Sequence, residues 1–143
     1  MKRPILALLL LVVGLILSAC AAASTTPQSA PLPTSAAGAV ITRVTAEQLD
    51  VMLAGQRDFT LVNVHVPYEG EIAKTDLQIP YDQVDAHLTQ LPGKDAKIVL
   101  YCRSGRMSDI AARRLVEMGY THVYDLVGGM VAWEAGGRSL VQR

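Results

Sequence analysis

The sequence predicts an α/β domain in which helices cover both faces of a mainly parallel sheet. Runs of apolar and β-branched residues, typical of buried strands, recur at 40–43, 59–64, 97–101 and 122–126. Segments with helical spacing or helix-capping residues lie between these runs. Because parallel strands need a crossover between them, this alternation of strands and helices favours a parallel sheet covered by helices.

The first predicted helix is marked at both ends. Thr45 and Gln48 form a capping-box pattern at its start, and Gly55 provides its end after Leu53. The short run at 40–43 before it is expected to be an edge strand.

The middle of the domain gives weaker signals. Residues 67–78 show no clear period and are interpreted as a loop. A short amphipathic helix is predicted at 82–91, because Pro92 and Gly93 follow it and stop it.

The carboxyl-terminal part returns to clear alternation. A helical pattern at 108–118 follows the strand at 97–101 and is closed by Gly119. After the last predicted strand, Gly128 and Gly129 form a turn that leads into a helix containing Trp133. We expect Trp133 to pack over the sheet.

The amino-terminal residues 1–19 are expected to be a signal peptide and not part of the domain. A basic start precedes an apolar run that is too short for a comfortable membrane span. Leu17-Ser18-Ala19-Cys20 resembles the bacterial lipobox, which implies cleavage before Cys20 and lipidation of its side chain. An uncleaved anchor or an ordinary signal peptide are the alternatives.

Residues 20–39 are expected to tether a domain at 40–143 to the membrane. The segment is rich in Ala, Ser, Thr and Pro and carries no charge, so it cannot bury a core. The lipid on Cys20 would place the domain on the extracytoplasmic face of the cell membrane. The full chain has 13 basic and 13 acidic residues, and this balance gives no electrostatic case for binding nucleic acid.

Cys102 is the residue most indicative of chemistry. It lies where a buried strand turns into a helix, a position surrounded by backbone N–H groups and facing a helix N-terminus. Arg103 and Arg106 add two permanent cations, so the environment favours a reactive thiolate. Cys20 is the only other cysteine, so lipidation would leave Cys102 as a free thiol, and no CxxC pair is present for dithiol chemistry.

Two motifs resemble the rhodanese domain. Val99-Leu100-Tyr101-Cys102-Arg103-Ser104-Gly105-Arg106 precedes an Ala-rich helix, and Val127-Gly128-Gly129-Met130-Val131-Ala132-Trp133 follows about 25 residues later. The resemblance is sharpest over 97–137 and extends more weakly over 40–96. It implies a five-stranded parallel sheet with helices on both faces.

The resemblance also implies sulfur transfer without a cofactor or metal. Cys102 would take sulfane sulfur from a small anionic donor such as thiosulfate and hold it as a persulfide. A thiol or cyanide would then accept the sulfur.

The loop after Cys102 is the predicted substrate-binding segment, formed by Arg103, Ser104, Gly105, Arg106 and Met107. Its backbone N–H groups would cradle an anionic sulfur, and Gly105 would let the chain curl tightly around it. The two arginines would attract the donor and steady the leaving sulfite, unless they are solvated side chains on the loop rim.

Three positions depart from the family pattern. Met107 stands where Ser, Thr or Arg is more usual and brings no hydrogen-bond donor. Asn63-Val64-His65 replaces Asp-x-Arg, and Glu71 replaces the His of Gly-His-Ile. His65 could act as a general base at the strand end, but we interpret it as a hydrogen-bonded turn residue.

Two other functions are alternatives to sulfur transfer. A cysteine phosphatase needs a Cys-x5-Arg loop, and the sixth residue after Cys102 is Ser108. A non-catalytic module could instead use the same loop to sense anions or sulfane sulfur, although retention of Cys102 argues against it.

Overall fold

The computed structural model describes residues 40–143. The predicted signal peptide, Cys20 and the tether lie outside the described residues. Within 40–143, no helix is long and apolar enough to cross a membrane.

The described region contains three α-helices, seven strands and one 3₁₀ helix. In chain order they are β1 Thr42–Val44, α1 Ala46–Ala54, β2 Phe59–Asn63, β3 Glu71–Ile72, β4 Leu77–Gln78, the 3₁₀ helix Val84–His87, β5 Lys97–Tyr101, α2 Arg106–Glu117, β6 Val123–Leu126, α3 Gly129–Ala135 and β7 Leu140–Val141.

Five strands form one parallel sheet in the order β1-β6-β5-β2-β4. The predicted fold class is therefore confirmed, and β1 lies at an edge as expected. The long strand β5 occupies the centre, between β6 and β2. β3 and β7 form a separate antiparallel pair.

Alternation along β5 divides the core between the two faces of the sheet. Ile98 and Leu100 pack in the cluster that contains the inner face of α2. Val99 and Tyr101 pack in the opposite cluster, with α1 and α3. Because successive side chains on a strand point to opposite faces, Cys102 continues on the α2 side.

The predicted boundaries of α1 are confirmed by its caps. The Thr45 side chain accepts the Gln48 N–H at 3.2 Å, and the Gln48 side chain accepts the Thr45 N–H at 2.8 Å. Gly55 is the C-cap, and its N–H bonds to the Val51 carbonyl at 3.1 Å. Both signals are local, which is why the sequence showed them.

The interpretation of 67–78 as a loop was wrong in part. Two residues of β4 pair with Val62 and Asn63 and complete the main sheet, while β3 pairs with β7 far along the chain. A two-residue strand is too short to show any period in the sequence, so only tertiary pairing defines it.

The helix predicted at 82–91 is shorter and tighter than expected. Only Val84–His87 is helical, as a 3₁₀ turn, and Gln83 makes no side-chain cap. Bonds from Gln90 N to His87 O and from Leu91 N to Leu88 O continue the i to i+3 spacing. This winding buries both Val84 and Leu91 against the α2 side of the sheet.

Candidate active site

Cys102 lies between the end of β5 and the start of α2 at Arg106. The carboxyl ends of parallel strands form the usual site edge of an open α/β sheet. Gly105 is the N-cap of α2 with φ of 94°, a left-handed conformation that glycine adopts without strain. The predicted turn of Cys102 into a helix is therefore present.

The Cys102 sulfur has two hydrogen-bond donors in the described region. The Gly105 N–H donates to Sγ at 3.1 Å, and the Ser108 hydroxyl lies 3.6 Å from Sγ. Gly105 belongs to the predicted cradle, whereas the sequence did not predict a role for Ser108 at the sulfur. The signal for it in the sequence was a small hydroxyl residue in the first turn of the helix.

The thiol is more recessed than the sequence indicated. Cys102 is 1% exposed and packs in the α2-side core. Its side chain follows the alternation of β5, which directs it under the loop and toward α2. A reagent must therefore reach a sulfur that has almost no solvent-exposed surface.

The turn at Gly128 and Gly129 supports the loop from the side. The N–H groups of Met130 and Val131 donate to the carbonyl oxygens of Cys102 and Arg103, each at 2.9 Å. A Cβ on Gly129 would overlap the Cys102 carbonyl oxygen. This close approach explains why the second family-like motif accompanies the first.

The two loop arginines differ in their surroundings. Arg103 forms an ion pair with Glu69, and this neighbouring carboxylate compensates part of the positive charge of Arg103. Arg106 is exposed and forms no ion pair within residues 40–143. Of the two predicted cations, Arg106 is the one free to meet an anion.

The other two loop side chains occupy different environments. Ser104 is exposed on the loop, whereas Met107 is partly buried against the α2-side core. Met107 therefore contributes packing at the start of α2, consistent with its lack of a donor.

Asn63 and His65 organise the turn after β2. The Asn63 side chain accepts the His65 N–H at 3.0 Å and donates to the Gly70 carbonyl at 3.1 Å. These neutral bonds hold the turn at the positions where the sequence departs from Asp-x-Arg. The expectation that His65 is a hydrogen-bonded turn residue does not hold for its ring. The ring is buried, and neither of its nitrogens makes a hydrogen bond in the described region. Its Nε2 lies 3.6 Å from Glu69 Oε2.

Glu71 is held by the end of the chain. Its buried carboxylate lies 2.7 Å from Nε of the half-exposed Arg143, beside the pairing of β3 with β7. The hydrogen bond and charge of this carboxylate raise the pKa of Arg143. The substitution at position 71 is thus matched by a partner that sequence proximity did not reveal.

A buried carboxyl lies beside the strand that leads to Cys102. Asp125 on β6 is fully buried, pairs with Arg43 through Oδ2, and leaves Oδ1 without a hydrogen-bond partner. Burial raises the pKa of Asp125, while the Ser108 hydroxyl and the Arg43 charge act in the opposite direction. Asp109 on α2 shares Arg43 and pairs with Arg113, and the Arg113 bond, followed by Arg43, lowers the pKa of Asp109.

Trp133 is buried in the core beside α1, as expected. His87 is partly buried and its Nδ1 lies 3.0 Å from Gln90 Nε2, while the exposed His122 has Nδ1 3.0 Å from Thr121 Oγ1. Among residues 40–143, no cluster of His, Cys, Asp and Glu has the arrangement of a metal site.

Comparison with known proteins identifies the family. The sequence model of the protein family described as the rhodanese-like domain matches residues 61–136 of this chain. The chain therefore belongs to the rhodanese-like family. A sulfurtransferase of Allochromatium vinosum is 34% identical over 105 residues, covering 71% of this chain and 96% of the relative.

Other relatives and structures agree with this assignment. The thiosulfate sulfurtransferase PspE of Escherichia coli is 37% identical over 70 residues, 47% of this chain and 67% of the relative. Adenylyltransferase and sulfurtransferase UBA4 of Candida albicans is 27% identical over 100 residues, but the match spans only 23% of its length. The structure of a rhodanese-related protein from Thermoplasma volcanium matches with a TM-score of 0.61 and 26% identity, covering 71% of this chain and 99% of that one.

Proposed function

We propose that this protein is a sulfurtransferase that carries sulfane sulfur on Cys102. The main support for this proposal is the position of the Cys102 sulfur at the start of α2, where the Gly105 nitrogen lies 3.1 Å from Sγ and donates a hydrogen bond to it. The helix N-terminus and this N–H favour negative charge on the sulfur, both as thiolate and as persulfide. Relatives named sulfurtransferase and thiosulfate sulfurtransferase support the same class of reaction.

The proposed first step is attack of the Cys102 thiolate on the outer sulfur of thiosulfate. A new S–S bond forms to Cys102, the S–S bond of thiosulfate breaks, and sulfite leaves with the bonding electron pair. The exposed cation of Arg106 would attract the doubly charged donor and stabilise the sulfite. The product is an anionic persulfide beneath the loop.

The proposed second step regenerates the thiolate. Cyanide or an acceptor thiolate attacks the outer sulfur of the persulfide, and the S–S bond electrons return to Cys102. Thiocyanate or a new persulfide is released. Neither step requires His65 as a base when Cys102 is already a thiolate, so we expect His65→Ala to retain transfer.

Intact mass spectrometry after exposure to thiosulfate tests the proposal. Wild-type protein should gain one sulfur atom and lose it again on addition of cyanide, whereas Cys102→Ser should gain none. Steady-state transfer from thiosulfate to cyanide should vanish in the same variant. Full transfer by Cys102→Ser, or wild-type protein that gains no sulfur from thiosulfate or polysulfide, would contradict the proposal.

The recessed thiol also gives a second candidate function some support. With Cys102 only 1% exposed, the domain could hold sulfane sulfur without passing it on, as a sensing module at the membrane. A persulfide that forms stoichiometrically but resists cyanide and small thiols would favour this function over catalysis.

We further propose that the domain is a lipoprotein, anchored through Cys20 on the extracytoplasmic face of the membrane. The support is the apolar run followed by Leu17-Ser18-Ala19-Cys20 in the sequence. Labelled fatty acid should be incorporated into wild-type protein and not into Cys20→Ala. Wild-type protein that takes up no label and is recovered free of the membrane would overturn the anchor.

A further inference from the structure

Ser108 lies directly beneath the reactive sulfur. It is fully buried in the first turn of α2, with Oγ 3.6 Å from Cys102 Sγ and 3.2 Å from the Gly105 carbonyl oxygen. Asp125 pairs in register with Leu100, two residues before Cys102, so its buried carboxyl points to the same α2 face of the sheet as the sulfur. The Ser108 hydroxyl acts to lower the pKa of this carboxyl. Ser108 therefore connects the sulfur to a buried carboxyl.

The Ser108 hydroxyl has more possible acceptors than it has hydrogens to donate. A serine carries one O–H hydrogen, while the Cys102 sulfur, the Gly105 carbonyl and the Asp125 carboxyl can all accept it. A neutral thiol is a weak acceptor, but an anionic sulfur is a strong one. Conversion of the thiol to thiolate or persulfide thus redirects the hydroxyl toward the sulfur.

Asp125 competes for the same hydrogen. Its Oδ1 is buried and lacks a hydrogen-bond partner, while Oδ2 is held by Arg43. An ionised carboxylate attracts the Ser108 hydrogen and withdraws it from the sulfur. A protonated carboxyl instead donates its own hydrogen to Ser108 Oγ and leaves the hydroxyl hydrogen for the sulfur.

We propose that Ser108 is a positioning residue that donates to the anionic Cys102 sulfur, and that Asp125 controls this bond by competing for the hydroxyl. The relevance to persulfide formation rests on the proposed function, whereas the effect on thiol reactivity does not. The charged groups facing Asp125 are Arg43 from β1 and Asp109 from α2. Asp109 is occupied by Arg43 and Arg113 and offers a matched control.

The experiment measures two rates at pH 7 in five full-length proteins. They are wild type, Ser108→Ala, Asp125→Asn, the Ser108→Ala/Asp125→Asn double variant and Asp109→Asn. The first rate is alkylation of Cys102 by iodoacetamide, and the second is persulfide formation with thiosulfate followed by intact mass. Thermal unfolding of each variant checks that the domain is folded.

We expect Ser108→Ala to lower both rates about tenfold, because it removes a charge-assisted hydrogen bond. Asp125→Asn should raise both rates, because its amide nitrogen can donate to Ser108 Oγ and its neutral oxygen attracts the hydroxyl hydrogen less strongly than a carboxylate does. This gain should shrink markedly in the double variant, since Asp125 acts through Ser108. Asp109→Asn should stay close to wild type.

Measuring the same two rates over a pH series distinguishes control by Asp125 from a simple loss of packing, because a loss of packing would not depend on the titration of this carboxyl. Burial raises the pKa of Asp125 above its ordinary value of 3.8. The ratio of the Asp125→Asn rate to the wild-type rate should fall toward one as the pH decreases through this titration, because the wild-type carboxyl is then neutral as well. A ratio that does not change with pH would contradict control by Asp125.

The outcomes separate this inference from the proposed function. If wild type forms a persulfide and folded Ser108→Ala matches it in both rates, the role of Ser108 is overturned and sulfur transfer stands. If wild type forms no persulfide but the alkylation rates follow the expected order, the role of Ser108 stands and the proposed function fails. An equal gain from Asp125→Asn with and without Ser108 would show that Asp125 acts by its charge alone.

Discussion

Arg103 and Arg106 lie on the same loop, but the net charge around each of them is different. Glu69 pairs with Arg103 and compensates its positive charge, whereas Arg106 is exposed and has no ion pair in the described region. The sequence showed both cations beside Cys102. It could not show the ion pair, because Glu69 reaches Arg103 only through the turn after β2.

Arg106→Ala should weaken the use of thiosulfate more than Arg103→Ala does. Loss of a charge-assisted bond to the donor or to leaving sulfite costs about 1–3 kcal/mol in kcat/KM. Steady-state transfer to cyanide gives this value, and persulfide formation at saturating donor should persist. A larger loss in Arg103→Ala would reverse the assignment of the two arginines.

Glu69→Gln should have the opposite effect on the donor. Removing the carboxylate frees Arg103, so the KM for thiosulfate should fall several-fold, with less change for a neutral donor. Surface ion pairs contribute at most about 1 kcal/mol, so stability should change little. The matched control is Glu117→Gln, which breaks an exposed pair with Arg114 at the far end of α2. An unchanged KM in Glu69→Gln would show that Arg103 does not reach the donor.

At the scale of elements, α3 fixes the loop that holds Cys102. Two N–H groups of its first turn, those of Met130 and Val131, bond to loop carbonyls. This is possible only because Gly129 lets the two backbones touch. The sequence predicted the turn and the helix, but their contact with the loop depends on β5 and β6 being neighbours in the sheet.

Gly129→Ala should destabilise the fold and disable the site. The new Cβ would overlap the Cys102 carbonyl oxygen, and φ of 55° is itself unfavourable for alanine. We expect a loss of more than about 2 kcal/mol in unfolding free energy, with a lower rate of Cys102 alkylation. Gly93→Ala is the control, since no atom lies within 4 Å of its added Cβ. Equal stability of the two variants would contradict the close approach.

At the scale of the whole molecule, Tyr101 joins the sheet to the small β3–β7 pair. Its buried hydroxyl accepts the Ile72 N–H at 3.0 Å and bonds to the Thr75 hydroxyl at 2.6 Å. Burial raises the pKa of Tyr101 from 10.0 to about 12. The neutral phenol is therefore favoured by the folded state.

Tyr101→Phe should cost about 1–3 kcal/mol of unfolding free energy at neutral pH, since the Ile72 N–H loses its acceptor. Because the folded-state pKa is raised, the wild-type contribution is present below about pH 10 and is lost as the pH rises through 12. The difference between wild type and variant should therefore shrink between pH 9 and 12 in denaturant unfolding. Tyr81→Phe, at the opposite side of the core, should remain near wild type. A difference that stays constant over this range would contradict the role of the phenol.

Sequence alone was sufficient to predict the parallel α/β class, the caps of α1, the strand that precedes Cys102 and the loop that follows it. These features follow from alternation, capping chemistry and glycine, which are all local. The tertiary structure alone shows that Ser108 faces the sulfur, that the buried Asp125 carboxyl lies on the same face of the sheet, and that Glu69 pairs with Arg103. It also defined β4 and the β3–β7 pair, because two-residue strands exist through their partners. The physical reason is that these contacts join residues far apart in the chain, whose meeting depends on strand order and not on neighbouring sequence.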